Sequence, residues 1–235
     1  SALACYSSSK LAVRLANLAG ARLHVLHVST AKELSLFSDA PLSSLKNITA
    51  EACIAHLFYD SEDYKTLGAR IKCNPAIKSE SNRTALRAAV NSGLIDVIAT
   101  DHAPHLLNEK EGGALKAMSG MPMIQFSLVS MLELVNKGIF TLETIVEKMC
   151  HAPAQIYRIN ERGYIREGYR ADLVLVRPNT PWEVTTDRIL SKCGWSPLEG
   201  HTFDWKVEKT FANGHLIYDD NTVDGTYRGE ELRFN

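Results

Sequence analysis

The heptapeptide Ala99-Thr-Asp-His-Ala-Pro-His105 carries the residue types best suited to catalysis or metal binding. Asp101 directly follows an apolar run that predicts a buried strand. Ionised carboxylates are rarely buried unless they are paired or bound to a metal, so Asp101 is a candidate metal ligand or general base. In the alternative interpretation, Asp101 is a capping residue, and His102 and His105 lie on the surface.

His27 is a second candidate, near the end of an earlier apolar run at residues 22–29. His24 and His27 are an odd number of positions apart, so they point to opposite faces of a strand, and only one can face the interior. His27 lies nearer the strand's end. A lone strand histidine is more often a packed core residue. Together with Asp101, however, His27 outlines a metal site, and imidazole with carboxylate suits zinc.

Other polar residues are less specific. Asn74 precedes Pro75 in a loop, where it either forms a simple turn or offers an amide to a polar ligand. Glu51 lies within an apolar run, and we expect it to be a buried, hydrogen-bonded group. Cys53 and His56 have C-x-x-H spacing without a second such pair, so both are interpreted as structural.

The elements that must position these side chains form an alternating pattern. Apolar runs indicate buried strands at residues 22–29, 48–55 and 94–100, and helical patterns cover residues 3–19, 30–37 and 81–90. Fully apolar strands that alternate with helices predict βα units with a parallel sheet. Functional residues are then expected at the carboxyl ends of the strands.

The character of the sequence changes further on. A polar loop over residues 102–121 leads to predicted helices at 124–136 and 141–159, the second divided by Pro153. From Gly163 onward, short apolar runs alternate with Gly, Asn and Asp turns, which indicates strands. We therefore predict an α/β part over residues 1–160 and a small β domain over residues 161–235.

Composition narrows the class of protein. The 235 residues include 26 Lys+Arg and 27 Asp+Glu, for a net charge of -1, which argues against a nucleic-acid partner. No apolar run reaches the roughly 18 residues of a membrane span, and the amino terminus lacks a secretory pattern. Five scattered cysteines suit reduced thiols, so we expect a cytoplasmic protein.

Several of these segments resemble dihydroorotases, which are members of the amidohydrolase superfamily. The Ala99–His105 heptapeptide is similar to the specific signature of that family. Further similarity follows in the correct order, at residues 24–30, 49–51, 74–75 and 95–100. Residues 167–176 and 196–200 are similar to the closing β segment, of which the Ala-Asp-Leu-Val-Leu-Val element marks only the wider superfamily. The resemblance covers essentially the whole chain.

The resemblance implies a (β/α)8 barrel with a small β-sandwich domain and a centre of one or two zinc ions. The implied reaction is the reversible interconversion of N-carbamoyl-L-aspartate and L-dihydroorotate in pyrimidine synthesis. His27 would be a zinc ligand on the sixth barrel strand. Asp101 would be a zinc ligand on the eighth strand and also the general acid and base.

The resemblance also implies the residues that bind the small-molecule substrate. Asn74 would hydrogen-bond the pyrimidine ring, and His105 would help to hold the substrate carboxylate. The backbone of Ser119 and Gly120 would line the pocket. We further hypothesise that the loop from His105 to Gly120 closes over the site.

The remaining zinc ligands of the family are missing. Its H-x-H pair occurs nowhere in the 235 residues, and a catalytic zinc takes about three protein ligands plus water. A (β/α)8 barrel takes about 250 residues, whereas roughly 160 residues with three strands remain here. We expect this chain to be the carboxyl-terminal portion of a dihydroorotase, inactive alone and completed by an amino-terminal segment.

Two alternatives stay open. The chain could belong to another cyclic amidohydrolase, a hydantoinase or an allantoinase, although Asn74 and His105 argue against this. It could also belong to a non-catalytic module that supports aspartate transcarbamoylase, although His27 and Asp101 argue against that. A second copy of the chain, in a homodimer, is a further possible partner.

Overall fold

The structure is a computed structural model that describes residues 1–42 and 46–235. It belongs to the α/β class, as predicted. Its central sheet has three parallel strands in the order β1-β2-β3: β1 (Leu23–Val25), β2 (Ile48–Cys53) and β3 (Val97–Ala99). Val25 pairs with Ala50, and Cys53 pairs with Ala99. The carboxyl ends of the three strands therefore lie at one edge of the sheet.

One helix precedes these strands, and shorter helical segments connect them. They are α1 (Ala2–Ala19), α2 (Ile54–Phe58), α3 (Tyr64–Leu67) and α4 (Glu80–Ser92), with 3-10 turns at Ala31–Leu36 and Gly68–Ile71. Gly20 ends α1 with φ 62°, and Gly93 ends α4 with φ 85°. Glycine adopts this left-handed conformation without a steric penalty from Cβ, so both residues act as helix stop signals.

After β3 the chain is mostly helical. A 3-10 turn at Leu107–Lys110 is followed by α5 (Gly113–Lys116), α6 (Ser127–Asn136), α7 (Leu142–Val146), a π-helical turn (Glu147–His151) and α8 (Ala152–Ile156). The predicted polar loop thus contains two short helical turns. The helix predicted at residues 141–159 is divided, as expected, by the π turn, which directly precedes the first turn of α8. Pro153 lies in that first turn, where its missing amide hydrogen and crowded ring favour a change in hydrogen bonding.

The carboxyl-terminal part is built from short strands. They are β4 (Leu173–Arg177), β5 (Trp182–Glu183), β6 (Thr202–Phe203), β7 (Lys206–Ala212), β8 (His215–Asp219) and β9 (Thr222–Val223). Strands β4-β7-β8-β9 form an antiparallel sheet, and β5 pairs with β6. The strand character predicted after Gly163 is confirmed. The domain boundary at residue 161 and the sandwich architecture stay predictions.

The main hydrophobic core joins the two parts. Ala50 of β2, Leu86 of α4 and Met131 of α6 belong to the same buried cluster as Trp195 and Phe203. Burial of each large apolar side chain contributes about 1.5–3 kcal/mol to folding. The segment around β6 is thus packed onto the α/β part. In the described part of the chain, no helix combines the length and apolarity that crossing a membrane requires.

A buried ion pair lies at the amino ends of the strands. Lys46 Nζ lies 2.7 Å from Asp96 Oδ1, and the other oxygen of Asp96 accepts the Ala50 N–H at 3.0 Å. Lys46 also donates to the carbonyls of Ser38 and Gly93, at 2.6 and 3.4 Å. The pair joins the start of β2 to the residue before β3, at the opposite end of the sheet from His27 and Asp101.

Candidate active site

The two candidate metal ligands share an unusual backbone conformation. His27 follows β1 with φ 40°, and Asp101 follows β3 with φ 46°. Few non-glycine residues adopt positive φ, and those that do are most often Asn, Asp or His. Such conformations cost of order 1–3 kcal/mol and cluster at functional sites. Both candidates therefore lie at the predicted edge of the sheet, with backbones that the surrounding structure must hold in place.

The carboxyl end of β2 lies between them. Adjacent strands are about 4.8 Å apart, so the backbones of β1 and β3 are separated by roughly 10 Å. Burial raises the pKa of the Cys73 thiol to about 11, and the Asp101 carboxylate adds to this shift. Burial and then the carboxylates of Glu51 and Asp101 also raise the pKa of Cys53. The Asp101 carboxylate therefore acts electrostatically on both the end of β2 and the loop that carries Asn74.

Glu51 connects β2 to the backbone of His27. It is buried and accepts hydrogen bonds from the His27 N–H at 3.3 Å and the His24 ring at 3.1 Å. The other ring nitrogen of His24 lies 2.8 Å from the Thr49 hydroxyl. The prediction of a buried, hydrogen-bonded Glu51 is confirmed. His24 uses both ring nitrogens within the protein, and its ring packs edge-on against Tyr157.

A second buried carboxylate fixes the loop that follows His27. Glu33 accepts the Ser9 hydroxyl at 2.7 Å and the Thr30 hydroxyl at 2.8 Å, and it also accepts the N–H groups of Ser29 and Thr30. Thr30 and Glu33 form a capping box. Their T-x-x-E spacing is a recognisable sequence signal for this arrangement. The Ser9 contact spans 24 residues and has no such signal.

His56 holds the loop that contains Asn74. Asn74 is exposed, and the following carbonyl of Pro75 accepts hydrogen bonds from His56 Nε2 at 2.8 Å and Cys73 Sγ at 3.2 Å. Burial lowers the pKa of His56 to about 4, and the nearby charges of Lys78 and His27 act in the same direction. His56 is thus a neutral structural residue, as interpreted from the sequence, and it positions the loop.

Lys78 joins the same loop to the end of β1. Its Nζ lies 3.4 Å from Ser29 Oγ and donates to the Ala76 carbonyl at 2.5 Å. An ammonium is a compact point charge without the planar fork of an arginine, so Lys78 places a single positive charge near the site. These hydrogen bonds hold the positive charge of Lys78 beside Ser29, which follows β1.

His105, Ser119 and Gly120 come together on the far side of the site. His105 Nε2 lies 3.1 Å from the Ser119 carbonyl, and the indole N–H of Trp195 donates to the His105 carbonyl at 2.8 Å. Gly120 has φ 126°, and a Cβ there would lie 2.4 Å from the Ala103 Cβ and 3.4 Å from the His105 ring. Only glycine fits this position without displacing the loop.

Lys110 is a charged residue inside this loop. It is 4% exposed, and its Nζ donates to the carbonyls of Lys72 at 2.9 Å, Met118 at 2.7 Å and Gly120 at 2.5 Å. Burial lowers the pKa of Lys110 to about 8. Sequence reasoning missed this residue because a lysine in a polar loop is normally solvent-exposed.

His102 has a local role. Its Nδ1 accepts the Ile124 N–H at 3.2 Å, and its backbone bridges to Met121. Partial burial lowers its pKa. These contacts indicate that His102, which is partly buried, stabilises the start of the loop.

The available donors fit part of a zinc site. Asp101 is solvent-exposed, so the expectation of a buried carboxylate was wrong. It is distinguished by its left-handed backbone and by its position directly after β3. Within residues 1–42 and 46–235, no three His, Cys, Asp or Glu side chains converge as a metal site would require. His27 and Asp101 supply one imidazole and one carboxylate, whereas catalytic zinc uses about three protein ligands.

A cavity of about 680 Å³ lies elsewhere, between the start of α6 and the antiparallel sheet. Its walls are largely apolar and include Phe126, Trp182 and Ile217. None of the candidate site residues lines it. The chemistry-bearing residues therefore do not lie in this cavity.

The amino-acid sequence of this chain is similar to a known protein family and to curated proteins. A family model described as the amidohydrolase family matches residues 7–217. The dihydroorotase of Pyrococcus furiosus is 36% identical over 209 residues, which are 89% of this chain and 48% of that protein. The allantoinase of Bacillus velezensis is 31% identical over 210 residues, 89% of this chain and 46% of its own length. The chain spans about half the length of the curated relatives it matches.

A solved structure gives the same picture of the fold. The L-hydantoinase (dihydropyrimidinase) of Arthrobacter aurescens matches with a TM-score of 0.86 and 28% identity, over 93% of this chain and 49% of that one. The predicted α/β barrel fold is confirmed by this likeness, with the chain corresponding to about half of it.

Proposed function

The chain belongs to the amidohydrolase family, and from this premise we propose that it forms part of a zinc-dependent dihydroorotase. The proposed reaction is the reversible interconversion of N-carbamoyl-L-aspartate and L-dihydroorotate in pyrimidine synthesis. The observation that carries the proposal is the placement of His27 and Asp101. Both have left-handed backbones at the carboxyl ends of strands, next to the loops that bear Asn74 and His105.

The chemistry follows from the donor types. His27 and Asp101 would hold zinc together with ligands from outside this chain, and the bound metal would make hydroxide available near neutral pH and polarise the ring carbonyl. Asp101 would accept the proton from the nucleophile and return it to the departing ring nitrogen. In the biosynthetic direction, the same carboxylate would act in the reverse order.

Substrate recognition would depend on the loops. The exposed amide of Asn74 offers both a donor and an acceptor to a pyrimidine ring. His105 would contribute its ring to the substrate carboxylate. The N–H and carbonyl of Gly120 are both engaged within the protein, with Lys72 and Lys110 respectively. The Ser119 carbonyl is also engaged, by the His105 ring at 3.1 Å, so the Ser119 N–H is the better candidate for a backbone contact with substrate.

Hydrolysis of another cyclic amide is the second candidate. The allantoinase and L-hydantoinase relatives favour it, because their likeness covers as much of this chain as that of the dihydroorotase. A non-catalytic role beside aspartate transcarbamoylase is the third, and it is favoured by the finding that no three donor side chains converge in the residues that the structure describes. The predicted cytoplasmic location and homodimer belong to the leading proposal.

Turnover of the three substrates tests the proposal. The complete gene product is loaded with zinc and assayed with dihydroorotate, hydantoin and allantoin. We expect dihydroorotate to be turned over fastest, and a preference for either of the other two would transfer the assignment to that substrate. Absence of turnover for all three in the zinc-loaded protein would favour the non-catalytic role.

Variants at the two candidate ligands test the site. We expect Asp101→Ala to abolish turnover, and His27→Ala to lower the zinc content measured by mass spectrometry. The exposed Asp204→Ala is the matched control and should change neither property. Full zinc content in both ligand variants, or near-wild-type turnover in Asp101→Ala, would refute the assignment.

A further inference from the structure

Lys110 contacts both loops that carry the proposed substrate-binding residues. We propose that Lys110 is a positioning residue for substrate binding, which acts by holding these two loops at a fixed separation. The inference rests on the proposed function, because that function assigns Asn74 and His105 to the substrate.

The hydrogen bonds of Lys110 use its full donor capacity. An ammonium group has three N–H donors, and here each meets a carbonyl within 2.9 Å. A buried ammonium without partners would be strongly unfavourable. The three carbonyls therefore have to converge on Nζ when the protein folds, and this convergence sets the geometry of the chain segments that supply them.

The three carbonyls come from two different loops. The Lys72 carbonyl lies two residues before Asn74, in the loop that His56 also holds. The carbonyls of Met118 and Gly120 flank Ser119, whose own carbonyl is bonded to the His105 ring. Nζ is thus the common point between the Asn74 loop and the His105 loop.

Two further contacts join the same loops. The Gly120 N–H donates to the Lys72 carbonyl at 2.8 Å, so that this one oxygen accepts from both Gly120 and Lys110. The side chain of Lys72 donates to the Ala117 carbonyl. Several hydrogen bonds therefore join the loop from His105 to Gly120 to the loop that carries Asn74. They argue against the hypothesis that the whole His105–Gly120 loop opens and closes.

Removal of the ammonium has a specific kinetic consequence. The carbonyls of Met118 and Gly120 would lose this donor, the Lys72 carbonyl would keep only the Gly120 N–H, and the two loops would shift. Asn74 and His105 would then contact the substrate less well in both the ground state and the transition state. A loss of this kind raises KM and leaves kcat largely unchanged. Loss of overall stability would instead lower the active fraction and hence the apparent kcat, with KM unaltered.

The test uses the complete gene product with Lys110→Met and the control Lys116→Met, an exposed lysine on the same loop. For Lys110→Met we expect KM for dihydroorotate to rise about tenfold or more, with kcat retained within a few-fold. Lys116→Met should leave both constants unchanged. A lower kcat at unchanged KM, or no change in either constant, would overturn the proposal.

Hydrogen exchange provides a readout that does not depend on activity. In Lys110→Met we expect faster exchange of amides at residues 72–76 and 103–121, and no change in Lys116→Met. If dihydroorotate is not turned over by the parent protein, the proposed function fails, while unchanged exchange in Lys110→Met would still refute the link between the loops. Lys110→Arg serves if Lys110→Met does not fold, because a guanidinium keeps the charge but cannot direct three donors from one nitrogen.

Discussion

Removal of one partner from the Lys46–Asp96 pair should destabilise the protein far more than removal of an exposed partner. The two side chains are 3% and 4% exposed. Lys46→Met keeps the aliphatic stem and removes the charge, which leaves the Asp96 carboxylate with the Ala50 N–H as its remaining described hydrogen bond. Asp96→Asn removes the opposite charge and keeps an acceptor for that N–H.

The expected magnitude follows from burial. An uncompensated buried charge costs about 3–5 kcal/mol. The matched control is the Glu62–Lys65 pair, whose side chains are 71% and 73% exposed, and a pair of this kind contributes less than about 1 kcal/mol. For a chain of this size, each kcal/mol lowers Tm by roughly 2–4 °C. We therefore expect a loss of about 6–20 °C for Lys46→Met and less than about 4 °C for Lys65→Met.

Thermal denaturation followed by circular dichroism measures these differences. The Lys46→Met/Asp96→Asn double variant should lose less stability than the sum of the single variants, because neither charge is then left alone. Equal Tm values for the Lys46→Met and Lys65→Met variants would show that the buried pair does not hold the strands. Strict additivity of Lys46→Met and Asp96→Asn would show that the two groups do not interact.

Three further predictions concern the site and its surroundings. His56 has a pKa of about 4 in the folded protein, below its ordinary 6.5, because burial favours the neutral ring. The stability that depends on the neutral ring is fully present above pH 6.5, and about 3 kcal/mol of it should be lost as the pH falls to 4. Urea denaturation across this pH range measures the loss, and the His56→Gln variant should not show it. The same dependence of unfolding free energy on pH in both proteins would contradict the low pKa of His56. Gly120→Ala should weaken dihydroorotate binding and lower Tm. Gly113→Ala has open space around the added Cβ and should cost only the strain of a left-handed backbone, about 1 kcal/mol. Equal losses of Tm in the two variants would show that the close contact between residue 120 and Ala103 does not matter. The thiols of Cys53 and Cys73 should resist iodoacetamide at pH 8 in the native state and react after denaturation, as detected by mass spectrometry, because burial raises their pKa values; rapid native labelling would contradict their burial.

The parallel sheet could be predicted because its signals are local. The apolar runs that became β1, β2 and β3 are bounded by glycines or polar residues, and Gly20 and Gly93 end the preceding helices. Parallel pairing then follows from the alternation of strands and helices. The positions of His27 and Asp101 at the same edge follow in turn from that topology.

The contacts that fix the loops could not be predicted because they join distant parts of the chain. Trp195 donates to a carbonyl 90 residues earlier, and Lys110 reaches the Lys72 carbonyl across 38 residues. No local pattern marks either contact, since both depend on how the folded segments pass one another. The exposure of Asp101 has the same origin, because a strand's apolar character does not determine what covers the residue after it.

The left-handed backbone at His27 and Asp101 has a consequence for redesign of the site. Aspartate and histidine are among the few non-glycine residues that this conformation tolerates, and both also bind metals. Exchange of Asp101 for Glu keeps the charge but adds a backbone cost of roughly 1–2 kcal/mol, so it is not a conservative change. Under the proposed function, a library aimed at a different metal should therefore vary only His, Asp and Asn at these two positions and introduce longer or softer donors on residues with ordinary backbone angles.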